Sequence, residues 1–262
     1  MRNALNQCVM RNAQCVIKNF CVDVSTIMWR DWIVLRRRLK KFILSRLVTP
    51  VLYLVAFGWG LGRNINLASG SYLDFLVPGI IALNTMNVSY MSVTGVHAER
   101  VYHKSLEEYL SAPIEPSAFV FGKILSAVVR ALISTALIIG VAVIFGASLK
   151  FFASPVNFLI VVVLNSMIFA SVCFCAALKV QTYEELAQVN TYLLMPMSFL
   201  CGTFFSTADL PSPVRFVIEI LPLTHTSYLL REGFNLPSIL ILAGYAIFLL
   251  WLATRMFKRL SV

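Results

Sequence analysis

Residues 125–145 read LSAVVRALISTALIIGVAVIF and contain a single charged side chain, Arg130. A helix needs about 20 mostly apolar residues to cross the roughly 30 Å of hydrocarbon in a bilayer. Lipid offers backbone groups no hydrogen-bonding partner, so a spanning segment must satisfy its own backbone, as a helix does. This stretch therefore predicts a transmembrane helix.

The composition of the whole chain points to the same class. Of the 262 residues, 59% are hydrophobic and 13% are charged, and the mean hydropathy is +0.80. These values exclude an ordinary soluble domain. No long polar block could hold a separate soluble unit. The sequence thus predicts one all-α integral membrane domain over residues 1–262.

Six stretches have the length and apolarity of spans. They are residues 42–61, 73–96, 125–145, 155–178, 186–205 and 239–257. Ionisable residues are nearly absent from their centres, which argues against a proton- or ion-coupled carrier. Arg130 lies about one turn inside the third span, from which its side chain can reach the cytoplasmic surface.

Charge asymmetry orients these helices. Most of the 22 Lys and Arg residues lie on the side shared by the two termini and by residues 99–116. The opposite side holds only Arg63, Lys150, Arg215 and Arg231. The positive-inside rule places both termini in the cytoplasm, as in a multi-pass protein of the bacterial inner membrane. Orientation and contact with membrane lipids explain the net charge of +10, so no nucleic-acid partner is predicted.

The N-terminal region divides into two parts. About 20 residues lack the continuous apolar core of a signal peptide and are expected to remain as a cytoplasmic tail. Residues 22–41 then combine apolar and basic positions at helical spacing, with Trp29, Arg30, Trp32 and Arg37 suited to the headgroup boundary. This pattern predicts a helix lying in the membrane interface. A basic flank without a helix of its own is the alternative.

Residues 99–116, ERVYHKSLEEYLSAPIEP, form a polar island between two apolar spans. Ser105 and Glu108 have capping-box spacing, which predicts a short helix that ends near Pro113. Its apolar side consists of Val101, Leu106, Tyr109 and Leu110. Such a helix at the membrane surface could be held by a soluble partner; a solvated loop is the alternative from these residues alone.

Motifs for chemistry within the chain are missing from the sequence. It contains no G-x-x-x-x-G-K-[ST] phosphate loop. Cys173 and Cys175 are two residues apart and point to different faces of a helix, so no metal site is predicted. His97, Glu99 and His103 are the nearest approach to a catalytic cluster for an enzyme acting on lipid. If the chain transports a substrate, the energy must come from another subunit.

Three stretches resemble a known family. They are YLDFLVPGII at residues 72–81, SLEEYLSAPI at residues 105–114, and TYEELAQVNTYLLMPMSFLCGTFFSTADLP at residues 182–211. In order and spacing they are similar to the permease subunits of the ABC-2 type transporter family, in the branch that exports nodulation factors, drugs and polysaccharides. The resemblance extends from about residue 27 to residue 258.

The resemblance implies a six-span subunit that forms a homodimer and binds two copies of a separate ABC ATPase. That ATPase would carry ATP and Mg, with no cofactor in this chain. The resemblance also implies that residues 22–41 form a connector helix, and that re-entrant helices occupy the external segment 206–237. The implied coupling residues are Ser105, Leu106, Glu107, Glu108, Tyr109, Ala112 and Pro113.

The resemblance also implies a role for residues of the fifth span. In such permeases it lines the dimer interface, and here its aromatic side chains are Tyr192, Phe199, Phe204 and Phe205. They could form part of the pathway, or they could simply pack between helices.

The expected function is export of an amphiphilic substrate: a lipo-oligosaccharide, a glycolipid or polysaccharide, or a hydrophobic drug. The alternative is a secondary transporter, or another polytopic membrane protein not coupled to ATP. Co-purification of a cassette ATPase would separate the two.

Overall fold

A computed structural model describes residues 2–61, 72–102, 106, 109, 114–147, 154–202 and 212–260. Within these ranges the regular structure is helical and contains no strand. The α-helices are α1 (Arg2–Arg37), α2 (Leu39–Tyr53), α3 (Tyr72–Val93), α4 (Gly95–Val101), α5 (Pro116–Ile144), α6 (Pro155–Lys179), α7 (Tyr183–Val189), α8 (Met195–Leu200), α9 (Ser212–Ile220), α10 (Pro222–Glu232) and α11 (Leu236–Leu260). The all-helical class is thus confirmed.

Four stretches of the described residues are long and apolar enough to cross a membrane. They are Tyr72–Val101, which joins α3 and α4, then Pro116–Ile144, Pro155–Lys179 and Leu236–Arg259. They contain the second, fourth and sixth predicted spans and all but the last residue of the third. A polytopic membrane architecture follows from these four alone.

The first and fifth predicted spans are interrupted helices. A π-helical segment, Leu54–Leu61, continues α2, and another, Asn190–Leu194, separates α7 from α8. Pro196 lies in the first turn of α8. Because proline has no N–H to donate, the regular α-helical hydrogen bonding cannot pass through it. No α-helical piece in either region is as long as the four spanning stretches.

The ends of several elements differ from the predicted bounds. The predicted tail is helical from Arg2, consistent with a sequence that contains no Gly or Pro before Pro50. This helix ends at Arg37, where the Arg38 N–H bonds the Leu35 carbonyl three residues back at 3.0 Å. The predicted interfacial helix 22–41 therefore crosses a turn.

Two further boundaries follow from single residues. Helix α5 begins at Pro116, before the predicted start of the third span, because proline suits the first turn of a helix. The fifth predicted span ends early, at Leu200. Gly202 there has a φ of +71°, a left-handed conformation that glycine adopts without strain. Phe204 and Phe205 lie outside the described residues.

Helix α3 is the centre of the packed helices. It contacts α5, α6 and α10 extensively, and its side chains from Leu76 to Leu83 are all buried. Near its start, Arg231 of α10 donates to the Phe75 carbonyl at 3.1 Å and to the Gly202 carbonyl at 2.5 Å. Its guanidinium also lies 3.7 Å from the centre of the Phe75 ring. The other end of α3 leads through α4 towards residues 103–113.

Candidate coupling site

The described part of the predicted coupling segment consists of Leu106 and Tyr109. Leu106 is only 4% exposed, and the ring of Tyr109 lies 5.1 Å from that of Phe119 in α5. The guanidinium of Arg30 in α1 is 5.2 Å from the centre of the Tyr109 ring. Two of the residues assigned to the apolar side of the predicted helix, Leu106 and Tyr109, thus face the membrane domain.

The remaining predicted coupling residues cannot be placed in the same way. They lie outside the described residues: Ser105, Glu107, Glu108, Ala112 and Pro113. Their role stays a prediction.

Four charged side chains meet beside Tyr109. Lys123 of α5 donates from Nζ to Asp31 Oδ1 of α1 at 3.3 Å and to Glu99 Oε1 of α4 at 3.1 Å. Arg30 of α1 donates from Nη1 to the same Glu99 oxygen at 3.2 Å. These four residues are called the charge cluster below. It joins three helices, and its two positive and two negative charges balance.

Burial decides which member of the cluster matters most. The Lys123 side chain is 8% exposed, against 14% for Asp31, 15% for Glu99 and 46% for Arg30. Removing one partner of a buried ion pair leaves an uncompensated charge, whereas an exposed pair contributes little. Lys123 bonds both carboxylates. Its loss would leave Asp31 without an ion pair among the described residues, and Glu99 with only the more exposed Arg30.

Close packing holds α1 against α5 at this point. Ile27 is 4% exposed, and a methyl group added to Gly122 would lie only 2.9 Å from the Ile27 Cβ. Glycine at this position therefore permits the close approach of the two helices. The Glu115 N–H also donates to Asp23 Oδ2 at 3.4 Å, just before α5 begins. Movement of α1 would displace the start of α5.

A second set of contacts links α4 to the α6–α7 connection. His97 is fully buried, and its ring lies 6.0 Å from that of Tyr102 and 5.4 Å from that of Tyr183 in α7. Arg100 Nη2 donates to the Val180 carbonyl at 2.7 Å. The helix that leads into the coupling segment therefore contacts the residues just before the fifth predicted span. His103, the other histidine considered for a catalytic cluster, lies outside the described residues.

The predicted interfacial residues have two different environments. Trp29 and Trp32 are 66% and 40% exposed, and Arg37 is exposed beside the turn at Arg38. Arg30 pairs with Glu99 and keeps 46% of its side chain exposed, so its assignment to the headgroup boundary stays a prediction.

A cavity of about 340 Å³ opens between α2, α3 and the helices of the fifth predicted span. Its polar lining includes Arg46, Asn84, Asn87 and Asn190. Phe199 also lines it and is 52% exposed. Tyr192, by contrast, is 76% exposed and does not line this cavity. The structure thus separates these two predicted pathway residues.

Sequence reasoning missed Lys123 and Asp31 as members of a site. Lys123 looks like part of an ordinary basic flank before the third span. Asp31 carries the better signal, because Asp23 and Asp31 are the only acidic residues in the otherwise basic residues 1–41. Nothing in the linear sequence pairs either of them with Glu99, which lies 68 positions after Asp31.

With this geometry in place, comparison with known proteins defines the class. The family model described as ABC-2 type transporter matches residues 22–235. The chain therefore belongs to the ABC-2 type transporter family and is a multi-pass inner-membrane transport permease. Family membership implies an ABC ATPase partner.

The similar proteins include nodulation proteins and a transport permease. Nodulation protein J of Rhizobium meliloti is 28% identical, over 83% of this chain and 86% of its own length. Nodulation protein J of Bradyrhizobium diazoefficiens is 26% identical over 79% of each chain. The inner membrane transport permease YadH of Escherichia coli is 25% identical, over 71% of this chain and 73% of its own length.

Proposed function

We propose that this chain is the membrane-spanning subunit of an ATP-driven exporter, in which two copies form a pathway for an amphiphilic substrate. The segment 105–113 would act as the coupling helix on the partner ATPase. In this proposal six spans cross the membrane. The first consists of α2 and its π-helical continuation. The fifth consists of α7, the π-helical segment Asn190–Leu194 and α8. Helices α9 and α10 would be the re-entrant pair, and both termini would be cytoplasmic.

The observation that carries the proposal is the charge cluster beside Tyr109. A force applied to the coupling segment would reach α5 through Phe119, and α1 through Arg30. Lys123 joins both helices to α4. Because the side chains other than Arg30 are largely buried, their geometry resists independent movement of the three helices. A soluble ATPase could therefore move them together.

The cavity beside α2 and α3 supports an amphiphilic substrate. Amide and guanidinium groups can bond hydroxyl or anionic headgroups, while Leu194, Met195 and Phe199 offer apolar contact on the same cavity. Asn84 and Asn87 already donate to Ser134 and to the Leu83 carbonyl, whereas the buried Nε of Arg46 has no hydrogen-bond partner among the described residues. A wholly apolar cargo would leave this Arg46 group unpaired, which costs free energy. The relatives named nodulation protein J and transport permease agree with a transport role.

A homodimer accounts for the exposed aromatic surface. Tyr192 is 76% exposed, and a second copy could cover it. In the proposed cycle, ATP binding brings the two ATPase copies together. The coupling helices follow, and the charge clusters transmit the movement to the spans, which separate at the dimer interface.

The test is reversal of one charge on the coupling segment. Glu108→Lys should abolish ATP-dependent export in proteoliposomes containing the permease and its ATPase, because the predicted contact surface changes sign. The matched control is Glu219→Lys, which reverses a half-exposed acid paired with Arg215 four residues away in α9. Unchanged ATPase binding and export in the Glu108→Lys complex would contradict the proposal.

A further inference from the structure

A second cavity lies between α1 and α5, and its lining includes Asp31 of the charge cluster. Its volume is about 310 Å³, and apolar side chains dominate its walls. The lining residues are Ser25, Met28, Trp29, Asp31, Trp32, Leu35, Ser126, Val129 and Arg130. This cavity is called the α1–α5 groove below. None of its lining residues lines the cavity between α2, α3 and α8.

The two charged side chains that line the groove, Asp31 and Arg130, differ in their partners. Asp31 is neutralised by Lys123 at 3.3 Å. Arg130 makes one long hydrogen bond, from Nη1 to the Ser92 carbonyl at 3.5 Å. No ion pair connects Arg130 to a carboxylate in the described part of the chain. Arg46 adds a second positive charge close enough to repel it. The groove therefore has excess positive charge at one point of an otherwise apolar wall.

The surroundings of the groove match a lipid rather than a water-soluble anion. Leu35 and Ser126 are buried at its base, whereas Trp29 and Trp32 are exposed at its edge. Tryptophan favours the boundary between headgroups and acyl chains. A basic stretch, residues 36–41, includes the end of α1, the turn at Arg38 and the start of α2. Basic side chains at this boundary attract the anionic lipids of the cytoplasmic leaflet.

We propose that the α1–α5 groove is a binding site for one anionic phospholipid of the bilayer, with its phosphate on Arg130 and an acyl chain along Trp32, Leu35 and Val129. An arginine guanidinium offers several N–H donors in a planar fork that fits phosphate oxygens. The bound lipid would fill the space between the two helices joined by Lys123 and Asp31. The site requires neither the ATPase nor transport.

Tryptophan quenching by brominated lipids tests the proposal on the full-length chain. Trp59→Phe and Trp251→Phe leave Trp29 and Trp32 as the emitting residues. This protein is placed in phosphatidylcholine vesicles containing equal mole fractions of brominated phosphatidylglycerol or brominated phosphatidylcholine. One favourable cation near the surface corresponds to a preference of about fivefold for the anionic lipid. Equal quenching by the two lipids would overturn the proposal.

Variants separate the groove from general attraction to the basic surface. Arg130→Gln should reduce the preference to about onefold, while Arg130→Lys should retain a preference because it keeps the positive charge. The matched control is Arg259→Gln, which removes one exposed positive charge near the end of α11 and should keep the preference.

An equal loss in the Arg259→Gln and Arg130→Gln proteins would also overturn the proposal, because the attraction would then be non-specific. Size-exclusion chromatography checks that each variant is folded. If the Arg130→Gln variant is not folded, quenching of the protein that retains Arg130 and of the Arg130→Lys variant still decides the outcome.

Discussion

The charge cluster and the centre of the helix bundle satisfy buried polar groups in different ways. In the cluster, Lys123 joins two carboxylates. In the bundle the buried groups are neutral. Asn165 of α6 donates to Thr85 Oγ1 of α3 at 2.7 Å and accepts from Thr226 of α10 at 3.1 Å.

Depth explains the difference. Asn165 lies ten residues into α6, about 15 Å along the helix axis, which is half the thickness of the hydrocarbon. A charge there is costly, whereas an amide that bonds two hydroxyl groups is tolerated. The charge cluster adjoins Tyr109, and Glu99 lies two residues before the end of the spanning stretch Tyr72–Val101, where access to water would reduce the cost of charge. Ionic contacts are therefore tolerated near the end of a spanning helix, and neutral ones at its centre.

The largest expected effect comes from breaking the cluster at Lys123. Lys123→Met leaves the buried Asp31 and Glu99 charges without their ammonium partner, and should lower the free energy of unfolding by about 3 kcal/mol. Reversible unfolding in bicelles measures this. Adding Asp31→Asn and Glu99→Gln removes the stranded charges and should restore much of the stability without restoring export. If the triple variant were as unstable as Lys123→Met, stranded charge would not be the cause.

The neutral contacts should be less sensitive to the same kind of change. Asn165→Val removes two hydrogen bonds to hydroxyl groups and should cost about 1–2 kcal/mol, since polar contacts between membrane helices contribute little each. The same unfolding assay gives the value. A loss larger than that of Lys123→Met would reverse the comparison between the two regions.

Replacement of Arg30 should affect the coupling of export to ATP hydrolysis more than it affects stability. Its side chain is 46% exposed, so Arg30→Gln should cost about 1 kcal/mol or less. It should nevertheless lower ATP-dependent export, because the contact between α1 and the Tyr109 ring is lost. The ratio of export to ATP hydrolysis in proteoliposomes measures this. Export at the normal ratio would show that Arg30 transmits no force.

The smallest expected effect, that of Arg215→Gln, is the baseline for the stability and export of the other variants. Arg215→Gln removes an ion pair with Glu219, whose two side chains are each 52% exposed. Pairs of this kind four residues apart on a helix contribute about 0.3–0.5 kcal/mol. Neither stability nor export should change measurably. A larger loss would indicate that α9 contacts something else in the membrane or the assembly.

The apolar spans and their approximate limits could be predicted from the chain alone, because hydrocarbon thickness fixes their length. The predicted residues 155–178 differ by one residue from the end of α6 at Lys179. The interruptions at Leu54–Leu61 and Asn190–Leu194 were not predicted in this form. Proline marks a position where a regular helix is weakened, but neighbouring helices determine how the backbone adjusts.

The polar island at residues 99–116 likewise supplied part of the candidate site. It contains Glu99, Leu106 and Tyr109, and the spacing of apolar positions placed Leu106 and Tyr109 on one side of the predicted helix. Leu106 is buried and Tyr109 packs against Phe119. It could not supply Asp31 or Lys123, because contacts between distant helices depend on how the helices pack. Gly122, which has no side chain to block the approach of Ile27, is one residue that determines this packing.

By itself, the sequence determined that this is a helical, multi-pass membrane protein with one strongly basic side, because apolar length and charge distribution act locally along the chain. It also contained the motifs that resemble an ABC-2 permease. Only the tertiary structure decided that Arg30 pairs with Glu99, that Lys123 joins three helices, and that Arg130 has no acidic partner among the described residues. Such pairings depend on distances between helices, and periodicity within one helix carries no information about them.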